Sequence, residues 1–303
     1  MAFSTVFASG TATRVAILSA RERATEFGWA RQGASAADAR RLTVYASREA
    51  HSSIAKGVRL AGLGEERLRL IDTDASFAMR PEALAAAMDA DVAAGLKPAC
   101  VVATIGTTSS TAIDPAARIA DLTARHGAWL HVDAAYAGSA AVLPETRSLF
   151  AGVERADSFV FNPHKWLFTN FDCTAYFVRD VVTLTRTCGI HPEYLRSAHD
   201  AAVVNFRDWG IPLGRRFRAL KLWFVLREFG VEGLRARIRE HIALAREFRG
   251  WVEAAPDFEP MAPTPLGLVC FRYRPPGAGA DDPAVADLNR RLLAAINPTG
   301  RAL

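Results

Sequence analysis

The amino-acid sequence predicts an α/β fold in which helices cover both faces of a mostly parallel sheet. Strand-like and helix-like segments alternate up to residue 180, and such alternation is typical of βαβ units. Several strand-like segments are apolar at consecutive positions, which is the pattern of parallel strands buried on both faces. A change of pattern after residue 210 indicates a smaller α+β domain.

The helices of the first region are predicted from apolar spacing and from signals at their ends. Residues 11–24 carry apolar side chains at helical spacing, and the segment 51–64 ends at a glycine. The segment 80–96 is rich in alanine and has a proline in its first turn, where the missing N–H is not needed. A helix over 114–127 is predicted to begin with Asp114 as its N-cap, since this side chain can accept a bond from a free backbone N–H.

The earlier strands alternate with these helices, whereas the last three strands follow one another with no predicted helix between them. They are predicted at residues 41–47, 68–72, 99–106, 128–135, 158–162 and 174–180. Two long amphipathic helices, a strand and a further helix follow, over residues 215–230, 231–254, 267–274 and 281–297. We therefore expect a large domain over residues 1–220 and a small domain over residues 221–303.

The composition favours an ordinary globular protein: of 303 residues, 50% are hydrophobic and 23% are charged. The net charge of +5 is scattered, so we expect no nucleic-acid partner, and we interpret the basic run "GRRFRALK" as a solvated or interface face. The sequence shows no apolar run of membrane length and no signal peptide, which predicts a cytoplasmic protein with no membrane partner. Its four cysteines form no CxxC pair, so we expect reduced thiols and no metal site.

Polar residues follow several of the predicted strands. Asp133 ends one strand, and Lys165 follows the next strand within "FNPHKWLFTN". Other polar residues stand at comparable positions, namely His51, Thr107, Thr108, Asn162 and His164. Ligands of open α/β sheets bind beyond the carboxyl ends of the strands. We therefore expect these side chains to converge on one pocket.

The pair of Lys165 and Asp133 indicates a particular chemistry. A lysine among aromatic residues has its ammonium form disfavoured and becomes a better nucleophile towards carbonyl groups. A buried carboxylate can hold a protonated ring nitrogen. These are the two groups that pyridoxal phosphate requires: an amine for its aldehyde and an acid for its pyridine nitrogen. Hydroxyls, amides and a helix N-terminus could hold its phosphate.

Each of these residues also has an ordinary structural explanation. A single aspartate at a strand end is usually a cap or turn residue, and a single lysine is usually a surface residue. His51, which precedes "SS", is by itself more often a helix N-terminal residue than a ligand. The combination at neighbouring strand ends favours the functional interpretation. A nicotinamide-dependent dehydrogenase is disfavoured, because no GxGxxG turn follows a first strand.

Four segments of the sequence resemble the pyridoxal-phosphate-dependent group II decarboxylases, above all the aromatic-L-amino-acid type that includes dopa, tyrosine and tryptophan decarboxylases. These segments are "VVATIGTTSS", "WLHVDAAYAGSA", "ADSFVFNPHKWLFTNFDC" and "IPLGRRFRALKLWFVLREFG". The resemblance covers essentially the whole chain. It implies a fold type I architecture, pyridoxal phosphate as cofactor and decarboxylation of an aromatic L-amino acid to an amine, which is a carboxy-lyase reaction. It also implies a homodimer with active sites at the subunit interface.

The resemblance assigns catalytic roles to four residues. Lys165 would form the Schiff base with the cofactor, and Asp133 would pair with the pyridine nitrogen. His51 would stack on the ring and help to hold the substrate carboxylate. Tyr194 matches the tyrosine of the family's mobile loop, which protonates the carbon after carbon dioxide leaves. Because aldehyde-forming relatives often replace this tyrosine or the stacking histidine, simple decarboxylation is favoured over an acetaldehyde-synthase activity.

Further residues would bind the cofactor. Thr108 and Ala135 would lie against it, and Asn162 and His164 would help to hold the phosphate. Gly214 matches a position that is glycine in indole-preferring plant relatives, which is a hint of room for a large aromatic ring.

The sequence departs from the family in two respects. The usual serine/alanine/serine run at the phosphate-binding turn is replaced by Ala8, Ser9 and Gly10, so Ser9 and the backbone at Gly10 are the expected phosphate ligands. The family is normally longer, and both ends of this chain are interpreted as truncated. A non-catalytic remnant of such an enzyme is therefore the alternative to a working decarboxylase.

Overall fold

The computed structural model describes residues 2–6, 9–33, 41–195, 199–200, 202–279 and 281–300. The chain divides into two compact units, Met1–Thr108 with Ala112–Ala236, and Ser109–Thr111 with Arg237–Leu303. The domain boundary expected after residue 220 stays a prediction.

The first unit contains a seven-stranded sheet with the order β1-β7-β6-β5-β4-β2-β3. Its strands are β1 (Ala2–Val6), β2 (Leu42–Ser47), β3 (Leu68–Ile71), β4 (Lys97–Thr104), β5 (Trp129–Asp133), β6 (Ser158–Phe161) and β7 (Thr174–Val178). Neighbouring strands pair in parallel along the part of the sheet ordered β3-β2-β4-β5-β6. Strand β7 pairs antiparallel with both β6 and β1. The expected mostly parallel sheet is confirmed. Strand β1 was not predicted.

The central strands are buried because helices cover both faces of the sheet. All six residues of β2 are buried, and so is every residue of β4 after Lys97. This explains why both segments are apolar at consecutive positions rather than at alternate positions. The carboxyl ends of β4, β5 and β6 lie side by side as a result of their parallel register.

The helices of the first unit connect these strands. They are α1 (Ser9–Ala24), α2 (Gly28–Gln32), α3 (Ser53–Leu60), α4 (Pro81–Ala93), α5 (Ala116–His126), α6 (Pro163–Trp166) and α7 (Val181–Cys188). Helix α8 (Ala219–Ala254) is interrupted at Gly230, whose φ of 63° is not helical. The predicted boundary between two helices at residue 230 is therefore confirmed. The short helices α2, α6 and α7 were not predicted.

The second unit contains the part of α8 after Ala236, a two-stranded antiparallel sheet and a further helix. The strands are β8 (Phe258–Pro260) and β9 (Phe271–Tyr273), and the helix is α9 (Pro283–Ile296). Asp282 caps this helix by accepting a hydrogen bond from the backbone N–H of Ala284.

Within the described ranges, no helix is long and apolar enough to cross a membrane. All four cysteines are free thiols.

Asp114 has a different role from the predicted helix cap. Helix α5 begins two residues later and has no side-chain cap. The buried Asp114 carboxylate instead accepts hydrogen bonds of 2.7 Å from the backbone N–H groups of Thr104 and Met79. It thereby joins the end of β4 to the segment that precedes α4, and burial raises its pKa to about 6.

The raised pKa of Asp114 predicts a pH-dependent stability. The folded state holds this proton more tightly than the unfolded chain, so the stabilisation is complete below the unfolded pKa of 3.8 and is lost as the pH rises through about 6. We expect the unfolding free energy of the wild type, relative to Asp114→Asn, to fall by about 2–3 kcal/mol between pH 4 and pH 7. Urea unfolding at both pH values measures this difference.

The exposed Asp121 provides the matched control for this experiment. The difference between the wild type and Asp121→Asn should change by no more than about 1 kcal/mol over the same pH range, because Asp121 is held by a surface ion pair with Arg155. An equally small change for Asp114→Asn would contradict the prediction.

Candidate active site

The site forms around Asp133, the last residue of β5. Its side chain is only 4% exposed, and its Oδ1 accepts a hydrogen bond of 3.0 Å from the backbone N–H of Ala135. Burial raises the pKa of Asp133, whereas this N–H and the nearby side chains of Lys165 and His51 act to lower it. The structure therefore brings Asp133, Lys165 and His51 close enough to interact electrostatically.

Lys165 lies on α6, a four-residue helix that directly follows β6. Pro163 occupies the first position of this helix, where its fixed φ favours helix initiation. The N–H of Lys165 donates to the carbonyl of Asn162 at 2.9 Å, and the N–H of Asn162 donates to the carbonyl of Ala135 at 2.9 Å. These bonds connect the segment that bears the lysine to the segment that follows β5.

The two neighbours of Lys165 anchor it from either side. The Nδ1 atom of His164 lies 2.6 Å from the carbonyl oxygen and 3.0 Å from the backbone nitrogen of Cys173, and burial lowers the pKa of this imidazole. The indole of Trp166 stacks on the ring of Tyr136, with centroids 4.6 Å apart and planes inclined by 10°. The aromatic residues around Lys165 therefore hold its backbone in place.

The environment of the Lys165 side chain differs from the expected one. The sequence predicted an apolar, aromatic surrounding, but the side chain is exposed. The expectation is wrong because the aromatic ring of Trp166 packs towards the protein interior and stacks on Tyr136 rather than around the lysine.

His51 precedes α3 and lies at the same edge of the sheet. Its side chain is exposed, and its Nδ1 accepts a hydrogen bond of 3.1 Å from the backbone N–H of Ser53. This bond satisfies one of the free N–H groups of the first helical turn and fixes the orientation of the ring.

Asn162 and Ala135 are buried, whereas Thr108 is exposed. The Oδ1 atom of Asn162 accepts a hydrogen bond of 2.9 Å from the hydroxyl of Thr174. This bond directs the amide nitrogen of Asn162 away from Thr174. The adjacent Thr107 is buried and accepts a bond from the N–H of Ala112, so its hydroxyl stabilises the turn after β4.

The predicted phosphate-binding turn is described only in part. Ala8 and the side chain of Ser9 lie outside the described residues. Gly10 lies in the first turn of α1, and a Cβ atom placed on it would come within 3.3 Å of the Ser53 Cβ. The Ser53 hydroxyl is buried and has no hydrogen-bond partner in the part of the chain that the structure describes. The unpartnered Ser53 hydroxyl and the first turn of α1 are groups of the kind that bind a phosphate.

Tyr194 is the one predicted catalytic residue that the structure does not bring to the others. It lies in a single 3₁₀ turn, Glu193–Leu195, and its side chain is 81% exposed. No contact joins it to Asp133, Lys165 or His51 within the described ranges.

Two glycines that the sequence analysis did not select shape this site. A Cβ atom on Gly138 would lie 2.3 Å from the Cβ of Phe161, at the end of β6. Gly106 has a φ of 84°, and a Cβ there would lie 2.7 Å from the Cβ of Ala137. The glycine in "AYAGSA" therefore lets the segment after β5 approach β6.

Among the described residues, no group of three His, Cys, Asp or Glu side chains could hold a metal ion.

Comparison with known proteins identifies a family for this fold and site. Residues 4–274 match the family described as "Pyridoxal-dependent decarboxylase conserved domain". The chain is 46% identical to the aromatic-L-amino-acid decarboxylase of Bos taurus over 293 residues, which are 94% of this chain and 57% of the relative. It is 43% identical to the phenylacetaldehyde synthase of Arabidopsis thaliana over 265 residues, 86% of this chain and 54% of the relative.

Solved structures show the same similarity. The Oryza sativa TDC, whose crystal structure contains PLP and tryptamine, matches with a TM-score of 0.93 and 41% identity over 99% of this chain and 62% of that chain. The tryptophan decarboxylase of Catharanthus roseus, solved with L-tryptophan, matches with a TM-score of 0.87 and 37% identity, over 99% of this chain and 61% of that chain. These matches confirm the fold type that the sequence predicted. The chain spans little more than half the length of the curated relatives.

The close approach at Gly138 predicts a large effect of a small substitution. In Gly138→Ala the added methyl group would overlap Phe161, because the Cβ atoms would lie 2.3 Å apart. We expect the free energy of unfolding to fall by about 1–3 kcal/mol, as for other overpacked sites. Equilibrium unfolding in urea provides the measurement. Gly214→Ala is the matched control, since a Cβ there meets no atom within 4 Å, and equal stability of the two variants would disprove the argument.

Proposed function

The chain belongs to the family of pyridoxal-dependent decarboxylases, and from this membership we propose that it is a carboxy-lyase, which converts an aromatic L-amino acid to its amine and carbon dioxide. The observation that carries the proposal is the buried Asp133 carboxylate. The side chains of Lys165 and His51 both act to lower its pKa. The names of the similar proteins support the aromatic substrate, since they include aromatic-L-amino-acid, tyrosine and tryptophan decarboxylases.

The proposed cofactor is pyridoxal 5'-phosphate, which supplies an electron sink for the electron pair that the departing carboxyl group leaves behind. Lys165 would bind the cofactor aldehyde through its Nζ and later release the product. The exposed position of its side chain makes the amine accessible to such a ligand. The anchored backbone of α6 would limit the positions that this amine can take during the reaction.

Asp133 would hold a proton on the pyridine nitrogen. A buried carboxylate is unfavourable without a cationic partner, and a protonated ring nitrogen provides one. The bond from Ala135 N–H to Oδ1 keeps the carboxylate oriented and leaves Oδ2 for this contact. His51 would lie on the face of the ring, and Thr108 and Ala135 would lie against the cofactor.

The phosphate would be held where Asn162, His164 and the first turn of α1 lie. The Thr174 hydroxyl occupies the oxygen of the Asn162 amide, so the amide nitrogen is the atom available to an anion. Helix N-termini bind phosphate through their free N–H groups and their positive dipole ends. Gly10 and Ser9, at the start of α1, would take this role through their backbone N–H groups.

Tyr194 would donate the proton to the carbon that loses its carboxyl group. Its exposed position requires a movement of its loop or a contribution from a second subunit. We propose a homodimer, supported by a set of large apolar side chains of the first unit that are exposed in the single chain. They are Leu213, Phe217, Trp223 and Phe224. The free thiols support a cytoplasmic location, where cysteines stay reduced.

The amine product tests the proposed function directly. The purified chain, loaded with pyridoxal phosphate, should release the amine and carbon dioxide from L-tryptophan, L-tyrosine, L-dopa or L-phenylalanine. We expect Lys165→Ala to abolish release, because the cofactor aldehyde then has no amine to bind. Chromatography of the products measures both. A folded, cofactor-loaded chain that forms no amine would favour the alternative of a non-catalytic remnant.

A similar assay tests the choice between amine and aldehyde, which the likeness to a phenylacetaldehyde synthase makes relevant. We expect the wild type to form amine without ammonia, since Tyr194 can protonate the carbon. Tyr194→Phe removes this proton donor. In aerated buffer, where dissolved oxygen is the oxidant, it should lower the rate of amine formation and raise the share of aldehyde, with ammonia and hydrogen peroxide as co-products. Tyr273→Phe, which alters a tyrosine of the second unit, should leave the product ratio unchanged. Aldehyde as the main product of the wild type would contradict the proposal.

A further inference from the structure

Ser53 has a hydroxyl group that the fold leaves without a function. The residue opens α3, and its backbone N–H donates to the Nδ1 of His51. Its Oγ is buried and has no hydrogen-bond partner in the described part of the chain. A buried hydroxyl without a partner is unfavourable, so a ligand or an ordered solvent molecule that accepts its hydrogen bond would stabilise it.

The position of Ser53 relative to Gly10 indicates which ligand this is. A Cβ atom on Gly10 would lie 3.3 Å from the Ser53 Cβ, a tighter contact than most Cβ atoms make. The first turns of α1 and α3 therefore meet at these two residues. The positive ends of two helix dipoles favour an anion at this point.

The absence of a side chain at Gly10 complements the hydroxyl of Ser53. The related enzymes usually have a serine at the position of Gly10, whose hydroxyl this chain lacks. A serine there would crowd Ser53 in this structure. We propose that the Ser53 hydroxyl donates a hydrogen bond to the phosphate of the cofactor and replaces the hydroxyl that is missing at Gly10. This inference rests on the proposed function.

Ser53 would then connect two parts of the site. Its hydroxyl would bind the phosphate, while its N–H orients the imidazole that is proposed to lie on the ring of the same cofactor. The phosphate and the ring face would be held from one residue at the start of α3.

The test compares the affinity of the chain for pyridoxal phosphate and for pyridoxal, which lacks the phosphate. Equilibrium dialysis measures both dissociation constants without reference to turnover. For Ser53→Ala we expect pyridoxal phosphate to bind about tenfold to a hundredfold more weakly, as for loss of a hydrogen bond to a charged group, with pyridoxal binding unchanged. Ser52→Ala is the matched control, because Ser52 is exposed and its side chain makes no cap hydrogen bond.

A double variant tests the replacement itself. Ser53→Gly combined with Gly10→Ser moves the hydroxyl from α3 to the first turn of α1. The glycine at position 53 then leaves room for the new Cβ atom at position 10. The double variant should regain most of the phosphate-dependent affinity that Ser53→Ala loses, and failure to regain it in a chain with wild-type thermal stability would overturn the replacement. Unchanged binding in Ser53→Ala, or equal losses for both ligands, would overturn the role of Ser53. A wild-type chain that does not bind pyridoxal phosphate would instead refute the proposed function, and this inference with it.

Discussion

The cost of burying the carboxylate of Asp133 is the constraint on which this site depends. A buried carboxylate is tolerated only where hydrogen-bond donors and positive charge surround it. The chain supplies the N–H of Ala135 and the side chains of Lys165 and His51. Parallel pairing of β4, β5 and β6 places the carboxyl ends of these strands at one edge. The partners of the carboxylate can therefore come from different parts of the chain and still meet.

Lys165 keeps its position through its neighbours, which leaves its own side chain available. His164 is bonded to the backbone of Cys173, and Trp166 is stacked on Tyr136. Both contacts reach segments that the sheet already holds, namely the start of β7 and the segment after β5. An amine that is anchored through its backbone can bind a ligand without losing a contact that the fold needs. Positions of this kind suit a covalent ligand, because the rigid elements set the geometry.

The sequence was sufficient to predict the residues whose position follows from strand order. Asp133 and Lys165 end or follow strands, so their meeting follows from a parallel sheet. The contribution of Thr174 was missed, because a hydroxyl inside a strand carries no local sign of its bond to Asn162. The cap assigned to Asp114 was wrong for a similar reason, since its partners Thr104 and Met79 precede it in the chain. Local signals predict elements, whereas such long-range bonds depend on how those elements pack.

The predicted site residues lie on two kinds of element, namely the ends of strands and a short exposed turn. Asp133, Lys165 and Asn162 lie on or directly after strands and are held by backbone bonds, as suits groups that orient a cofactor. Tyr194 lies on a short exposed turn. A proton donor that must reach the substrate only after carbon dioxide has left gains from such a position, because a permanently seated donor would obstruct substrate entry. Loops that close over a bound substrate also exclude water from the reacting carbon. The exposure of Tyr194 in the single chain is therefore consistent with its proposed role.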